Sequence, residues 1–212
     1  INLTNEWVNY VFDFSLSAND QTQLKIFFNH NVTNGTLTDM YYIDDLMFLP
    51  APCDEPVIEN CSNVVQDYNI ISDWNCQQNY GIETTVPSVL NPLISCDNRS
   101  ENVGQYTDDG TEAYDAFILN YGSIINLNSH NKLKFKLYSN SSIQVLAKLE
   151  GGSAIEKWSD FSTVNTWQEF SYDFSDSIDN ENTTLVLFFN AGQNNGNPED
   201  IYYIDELRWE EN

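Results

Sequence analysis

Positive charge is scarce in this 212-residue chain, which has eight Lys and Arg against 32 Asp and Glu and a net charge of -24. Five of the eight fall within 26 positions, at Lys132, Lys134, Lys136, Lys148 and Lys157. An ammonium offers three donors and no acceptor, so such a group can grip hydroxyls or pair with carboxylates. In LKFKLYS, residues 133–139, alternation puts Lys134, Lys136 and Tyr138 on one strand face. The next run, SIQVLAKLE at 142–150, reads as a strand returning beside it, which would set Lys148 next to Lys134 or Lys136. Tyr114 and Tyr138 fall on outward strand positions, and Trp158 sits in a polar stretch, EKWSDF, between strands where a large ring has no core role. Tyr114, Lys134, Lys136, Tyr138, Lys148 and Trp158 are therefore the candidate ligand-binding set. The competing reading is that the lysines keep a sheet soluble and pair with the many acids.

Other chemistry finds little footing. A charge of -24 disfavours nucleic acid and anionic membrane surfaces as partners. There is no compact E-x-D-x-x-E run, no Ser/His/Asp order and no phosphate-cradling Gly loop, so the chain reads as a non-enzyme. His30 and His130 lie far from any Cys-x-x-Cys pattern, which argues against zinc.

Cys53, Cys61, Cys76 and Cys96 read instead as disulfide partners, which implies an oxidising, extracellular compartment. Three pairings are formally possible, and the expected one joins Cys53 to Cys61 and Cys76 to Cys96. Residues 51–63, APCDEPVIENCSN, lack periodicity and read as a short linker.

Around these residues the elements are strands. Besides the two runs above, WQEFSYDFS at 167–175 alternates, TTLVLFFN at 183–190 is continuously apolar, and further strands are expected near 81–87, 113–121 and 201–209. Asn, Gly, Ser and Asp clusters separate them, and no stretch carries a helical stripe. The pattern predicts an all-β protein, an antiparallel β-sandwich of jelly-roll type. It also repeats. NEWVNYVFDFS at 5–15 matches NTWQEFSYDFS at 165–175, and residues 24–46 match 185–207 at 12 of 23 positions without a gap. The chain thus reads as a tandem: the C-terminal part of a first module in 1–50, a linker in 51–63 and a complete module in 64–212. It starts in mid-repeat and has no membrane-length apolar run, as expected of a piece of a larger secreted or surface protein tethered to further domains.

The LKFKLYS…VLAKLEGG pair, NTWQEFSYDFS, LVLFFN and the closing YYIDEL resemble the jelly-roll carbohydrate-binding modules of marine Bacteroidetes polysaccharide-degrading enzymes and surface glycan-binding proteins. Asn91-Pro92, Asn98-Arg99-Ser100 and Val103-Gly104-Gln105-Tyr106 extend the likeness. The resemblance implies non-catalytic binding of a polysaccharide, and with the acidic charge a neutral β-glucan such as laminarin. The alternative is a structural spacer or adhesin repeat that binds no sugar. The resemblance also implies a structural Ca2+ held by a last-strand carboxylate, here Asp205, with Asp44 at the matching place of the first copy. Asp73, near the first strand, is the accompanying candidate, although IISDW departs from the family's usual Glu.

Overall fold

The computed structural model describes residues 55–79, 81, 83–110, 112–193 and 200–212, together with Cys53, Trp7, Tyr10, Phe12, 24–26, 41–43 and Leu46. The chain divides into two compact units, Ile1–Ala51 and Pro52–Asn212. In the first, Asp44 and most of the repeated segment lie outside the described residues. Its Trp7 is 75% exposed, whereas the corresponding Trp167 of the second unit is buried.

Among its described residues the second unit has ten strands: β1 (Ile70–Ser72), β2 (Ser88–Leu90), β3 (Asn102–Asp108), β4 (Phe117–Asn120), β5 (His130–Tyr138), β6 (Ile143–Glu150), β7 (Ile155–Phe161), β8 (Trp167–Asp173), β9 (Thr184–Phe189) and β10 (Asp200–Glu211). They form two antiparallel sheets. One runs β2-β3-β10-β5-β8, with β1 added beside β10; the other runs β4-β9-β6-β7. The unit is an all-β antiparallel sandwich.

Period-two alternation makes the core. β5 turns Leu133, Phe135 and Leu137 inward, β8 turns Phe170 and Tyr172, and β6 and β9 answer with Val145, Ala147, Leu149, Leu185, Leu187 and Phe189. Phe135 stacks on Phe170 at 5.3 Å and on Tyr172 at 6.1 Å between ring centroids. Burial of each such ring accounts for several kcal/mol in truncation experiments, about 3–5 for Phe→Ala. Gly104 in the VGQY run is required by close approach: a Cβ there would collide with the Trp74 indole. β10 shifts register between Asp205 and Arg208, where Glu206 adopts φ 49°. This bulge lets Tyr202 and Ile204 face inward before it and Leu207 and Trp209 after it, while Asp205 faces outward.

Four expectations are corrected here. β5 and β6 do not form a hairpin. β5 pairs with β8 and β10, and β6 with β7 and β9, so the chain between Tyr138 and Ile143 crosses from one sheet to the other. Trp158 is on strand β7 rather than between strands, because an edge strand can keep Lys157 and Ser159 in its inward register and so conceal its alternation. The disulfides join Cys53 to Cys96 and Cys61 to Cys76. The Cys-rich stretch runs parallel to the β2–β3 connection, with Val57 N–H donating to Arg99 O at 2.7 Å. This route carries Cys53 to Cys96 and leaves Cys61 beside the turn after β1. The expected strand at 81–87 is irregular at its described positions.

Candidate functional site

The outer face of the four-stranded sheet carries a transverse apolar row. Trp158 on β7 pairs with Leu146 on β6, which pairs with Phe188 on β9. Beyond Phe188 stands Tyr114, in the turn before β4 and not at the strand position expected for it, its ring edge-on to Phe188 at 6.4 Å. That turn is pinned by Gly192 N–H donating to Ala113 O at 2.7 Å, and Gly192 adopts φ 79°, a conformation that favours glycine. Leu146, Val186 and Phe188 are buried, with Ala116, Ile118 and Ala191 packed around them. The two ends stay open: Tyr114 is 67% exposed and Trp158 49%. With strands about 4.8 Å apart, the row spans roughly 15 Å, the reach of a short oligosaccharide rather than of one ring.

Two residues further along these strands, Gln144, Asp160 and Asn190 line a shallow hollow of about 380 Å³ with Ser142 and Ser162. Gln144 Nε2 donates to Asp160 Oδ1 at 3.4 Å. The face therefore pairs flat apolar surface with amide, hydroxyl and carboxylate groups, the combination that fits a ligand with C–H faces and hydroxyls. On the other side of the row lies Lys148, paired with Glu150 at 2.7 Å and Glu156 at 3.4 Å. The Glu150 carboxylate, followed by Glu156, raises the Lys148 ammonium above its usual pKa.

The candidate set is thus divided between two faces. Tyr114, Lys148 and Trp158 share the four-stranded sheet, but Lys134, Lys136 and Tyr138 lie on the outer face of the other sheet. The expected neighbourhood of Lys148 with Lys134 or Lys136 is absent because their strands belong to different sheets. Lys134 bridges Glu169 at 3.3 Å and Glu210 at 3.1 Å, Lys136 pairs with Glu206, and Arg208 binds Glu169, Glu206 and Glu210. Three cations and three carboxylates balance. Tyr138 packs on Trp167 and Tyr203, with centroids 5.7 and 5.8 Å away. Trp167 in turn donates its indole N–H to Leu93 O and Asn91 Oδ1, so the Asn91-Pro92 loop roofs this part of the sheet.

The acidic candidates are also separate. Asp73 Oδ1 accepts from the backbone N–H groups of Asn75, Cys76 and Gln77 at 2.7–3.0 Å, as a turn cap does. Asp205 is fully buried under the same loop, accepting from Asn98 Nδ2 at 2.9 Å and Glu206 N at 2.8 Å. Burial pushes its carboxyl up to about pKa 7 against the lowering effect of bonds from Ser100, Asn98 and Glu206 N. Sequence reading missed a third group. Asp108, Asp109 and Asp115 converge at the root of the Tyr114 turn, offering ligand atoms within 4.8 Å of one another. Asp108 is buried, and Asp115 Oδ2 is sealed from solvent with no hydrogen-bond partner among the described residues. Burial, then Asp109 and Asp108, raise the Asp115 pKa. The DD…D spacing was visible in the sequence, but only the β3–β4 turn shows that it converges.

No protein-family model and no curated protein matches the chain. Solved structures similar in fold include the family 11 carbohydrate-binding module of cellulosomal cellulase Lic26A-Cel5E of Clostridium thermocellum. It is 12% identical, with 68% of this chain and 94% of that one covered at a TM-score of 0.44. SGBP-B from a complex xyloglucan utilization locus in Bacteroides uniformis is 13% identical over 68% of this chain and 50% of its own, at 0.45. An exo-beta-agarase is 10% identical over 68% of this chain, at 0.49, and the match spans only 24% of that structure. Carbohydrate-binding modules stand among these structures.

Proposed function

We propose that the second unit is a non-catalytic, extracellular polysaccharide-binding module whose ligand lies across the outer face of β4-β9-β6-β7. The observation that carries this is the row from Trp158 to Tyr114: two exposed rings at the ends of a sealed apolar floor, beside a hollow lined with amides and hydroxyls. The ligand is a neutral glycan, and a β-glucan such as laminarin is the first to test. Lys148, the lysine on this face, is already balanced by Glu150 and Glu156, and the chain's charge of -24 repels polyanions. Two disulfides suit the oxidising surroundings of a secreted or surface protein tethered to further domains.

For the calcium that the resemblance implies, we propose Asp108, Asp109 and Asp115 rather than Asp205 with Asp73. Calcium takes hard oxygen donors, and this group offers three converging carboxylates, one with a buried oxygen that has no partner among the described residues. Asp205 and Asp73 instead hold N–H donors, which a cation would have to displace. A bound ion would fix the turn that presents Tyr114.

Affinity electrophoresis against neutral and uronic-acid polysaccharides tests the binding reading. Covering about 60 Å² of the exposed Trp158 ring at ~25 cal/mol/Å² contributes about 1.5 kcal/mol, so Trp158→Ala weakens binding roughly tenfold, and Tyr114→Ala does so similarly. Tyr138→Ala, on the other sheet, leaves retardation unchanged. A protein retarded by no polysaccharide, or weakened by Tyr138→Ala and not by Trp158→Ala, overturns the reading, the first outcome in favour of a spacer.

A further inference from the structure

A cavity of about 320 Å³ opens at the opposite end of the sandwich from the hollow by Gln144. It lies where β4 ends, β5 begins and β10 finishes, between the two sheets. Its floor is the buried pair Ile125 and Trp209, and Trp209 is fixed in orientation because its indole N–H donates to the Tyr121 hydroxyl at 2.9 Å. Ile124, 55% exposed, and Tyr68, 70% exposed, form apolar walls. Asn126 and His130 add polar edges, and His130 Nδ1 is held by Ser129 Oγ at 2.9 Å.

Charge is what sets this cavity apart. The chain has 32 carboxylates, yet among the described residues no Asp, Glu, Lys or Arg lines the cavity. A cationic ligand would find no counter-charge there, and an anionic one would meet the repulsion of the whole molecule. The lining alternates aromatic and aliphatic surface with amide, hydroxyl and imidazole groups, matching an uncharged ring with apolar faces and a polar rim. The volume is at the low end of the roughly 300–1,000 Å³ typical of small-molecule sites, enough for a single ring and not for a chain.

We infer that this cavity is a second ligand site, independent of the sheet face, which takes one neutral sugar ring, as a free monosaccharide or a terminal unit of a glycan. Amide and indole NMR of the whole chain, titrated with glucose, galactose, mannose and, as a charged control, glucuronate, tests it. A neutral sugar shifts the Trp209 indole N–H and the amides of residues 123–126 saturably, and glucuronate does not. Tyr68→Ala and Ile124→Asp, both at exposed positions, abolish those shifts, while Trp158→Ala leaves them intact. The inference is overturned if no neutral sugar moves these signals, if glucuronate moves them equally, or if the shifts survive both cavity variants. Because Trp158→Ala acts only on the sheet face, failure at one site is distinguishable from failure at the other.

Discussion

Raising the pH should destabilise this protein through one residue, Asp205. Its carboxyl is 0% exposed and has a folded pKa of about 7 against an ordinary value of 3.8. The folded state therefore holds its proton more tightly than the unfolded state does. Stability from this group is full below the unfolded value, falls as pH rises through the interval and levels off above about 7. A difference of about three units at 1.36 kcal/mol each amounts to about 4 kcal/mol. The charged groups facing Asp205 do not offset this: Lys136, opposite it on β5, is paired with Glu206. Exposed carboxylates slope the other way, since Asp173, held low chiefly by the Ser175 backbone N–H, and Asp176, held low by Lys157, both favour folding as pH rises. The comparison must therefore be with Asp205→Asn, which cannot ionise and keeps an acceptor oxygen. Urea unfolding of both proteins from about pH 4 to about pH 8.5, with a chelator present, should move the difference by about 4 kcal/mol in the variant's favour. Parallel curves would refute the buried, proton-holding carboxyl. A wild-type slope abolished by added calcium would instead make Asp205 a metal ligand.

Further outcomes follow from the same structure. Peptide mapping without reduction should recover Cys53 linked to Cys96 and Cys61 linked to Cys76. Replacing each pair by Ser should cost about 4 and about 3 kcal/mol for separations of 43 and 15 residues, and recovery of a Cys53–Cys61 peptide would refute the pairing. For calcium, thermal melting with a chelator should lower the midpoint of the wild type and leave Asp115→Asn unmoved. An unchanged wild-type midpoint would remove the metal.

Much of the sandwich was legible because its central strands alternate cleanly: the runs at 133–139, 142–150, 167–175 and 201–209 all became strands, and Phe135, Phe170 and Leu187 point where period two sends them. Alternation says which residues share a face of one strand and is silent about which strand lies alongside. For that reason Lys134, Lys136 and Tyr138 were grouped correctly, whereas Lys148, one short connection later, went to the other sheet. Edge strand β7 escaped notice because its inward side needs little apolar surface, and with it the reason for Trp158. The disulfides were recognisable as such, but their partners depend on the path of 53–61 along the β2–β3 connection, which depends on backbone pairing that composition does not encode. The convergence of Asp108, Asp109 and Asp115 likewise needs a turn that folds back on itself.

The bond between Cys53 and Cys96 has a mechanical consequence. When tension is applied along the chain on either side of this unit, force enters at Cys53, passes through the sulfur bridge to Cys96 and continues into β3. The 42 residues between the two cysteines, including β1 and β2, carry no load while the bridge is intact. Resistance to pulling then rests on the shearing of β10 from β3 and β5, ladders that hold the last strand in the six-stranded sheet. Under reducing conditions the same pull would peel away β1 and β2 first, so the redox state of one bond sets the order in which the unit comes apart.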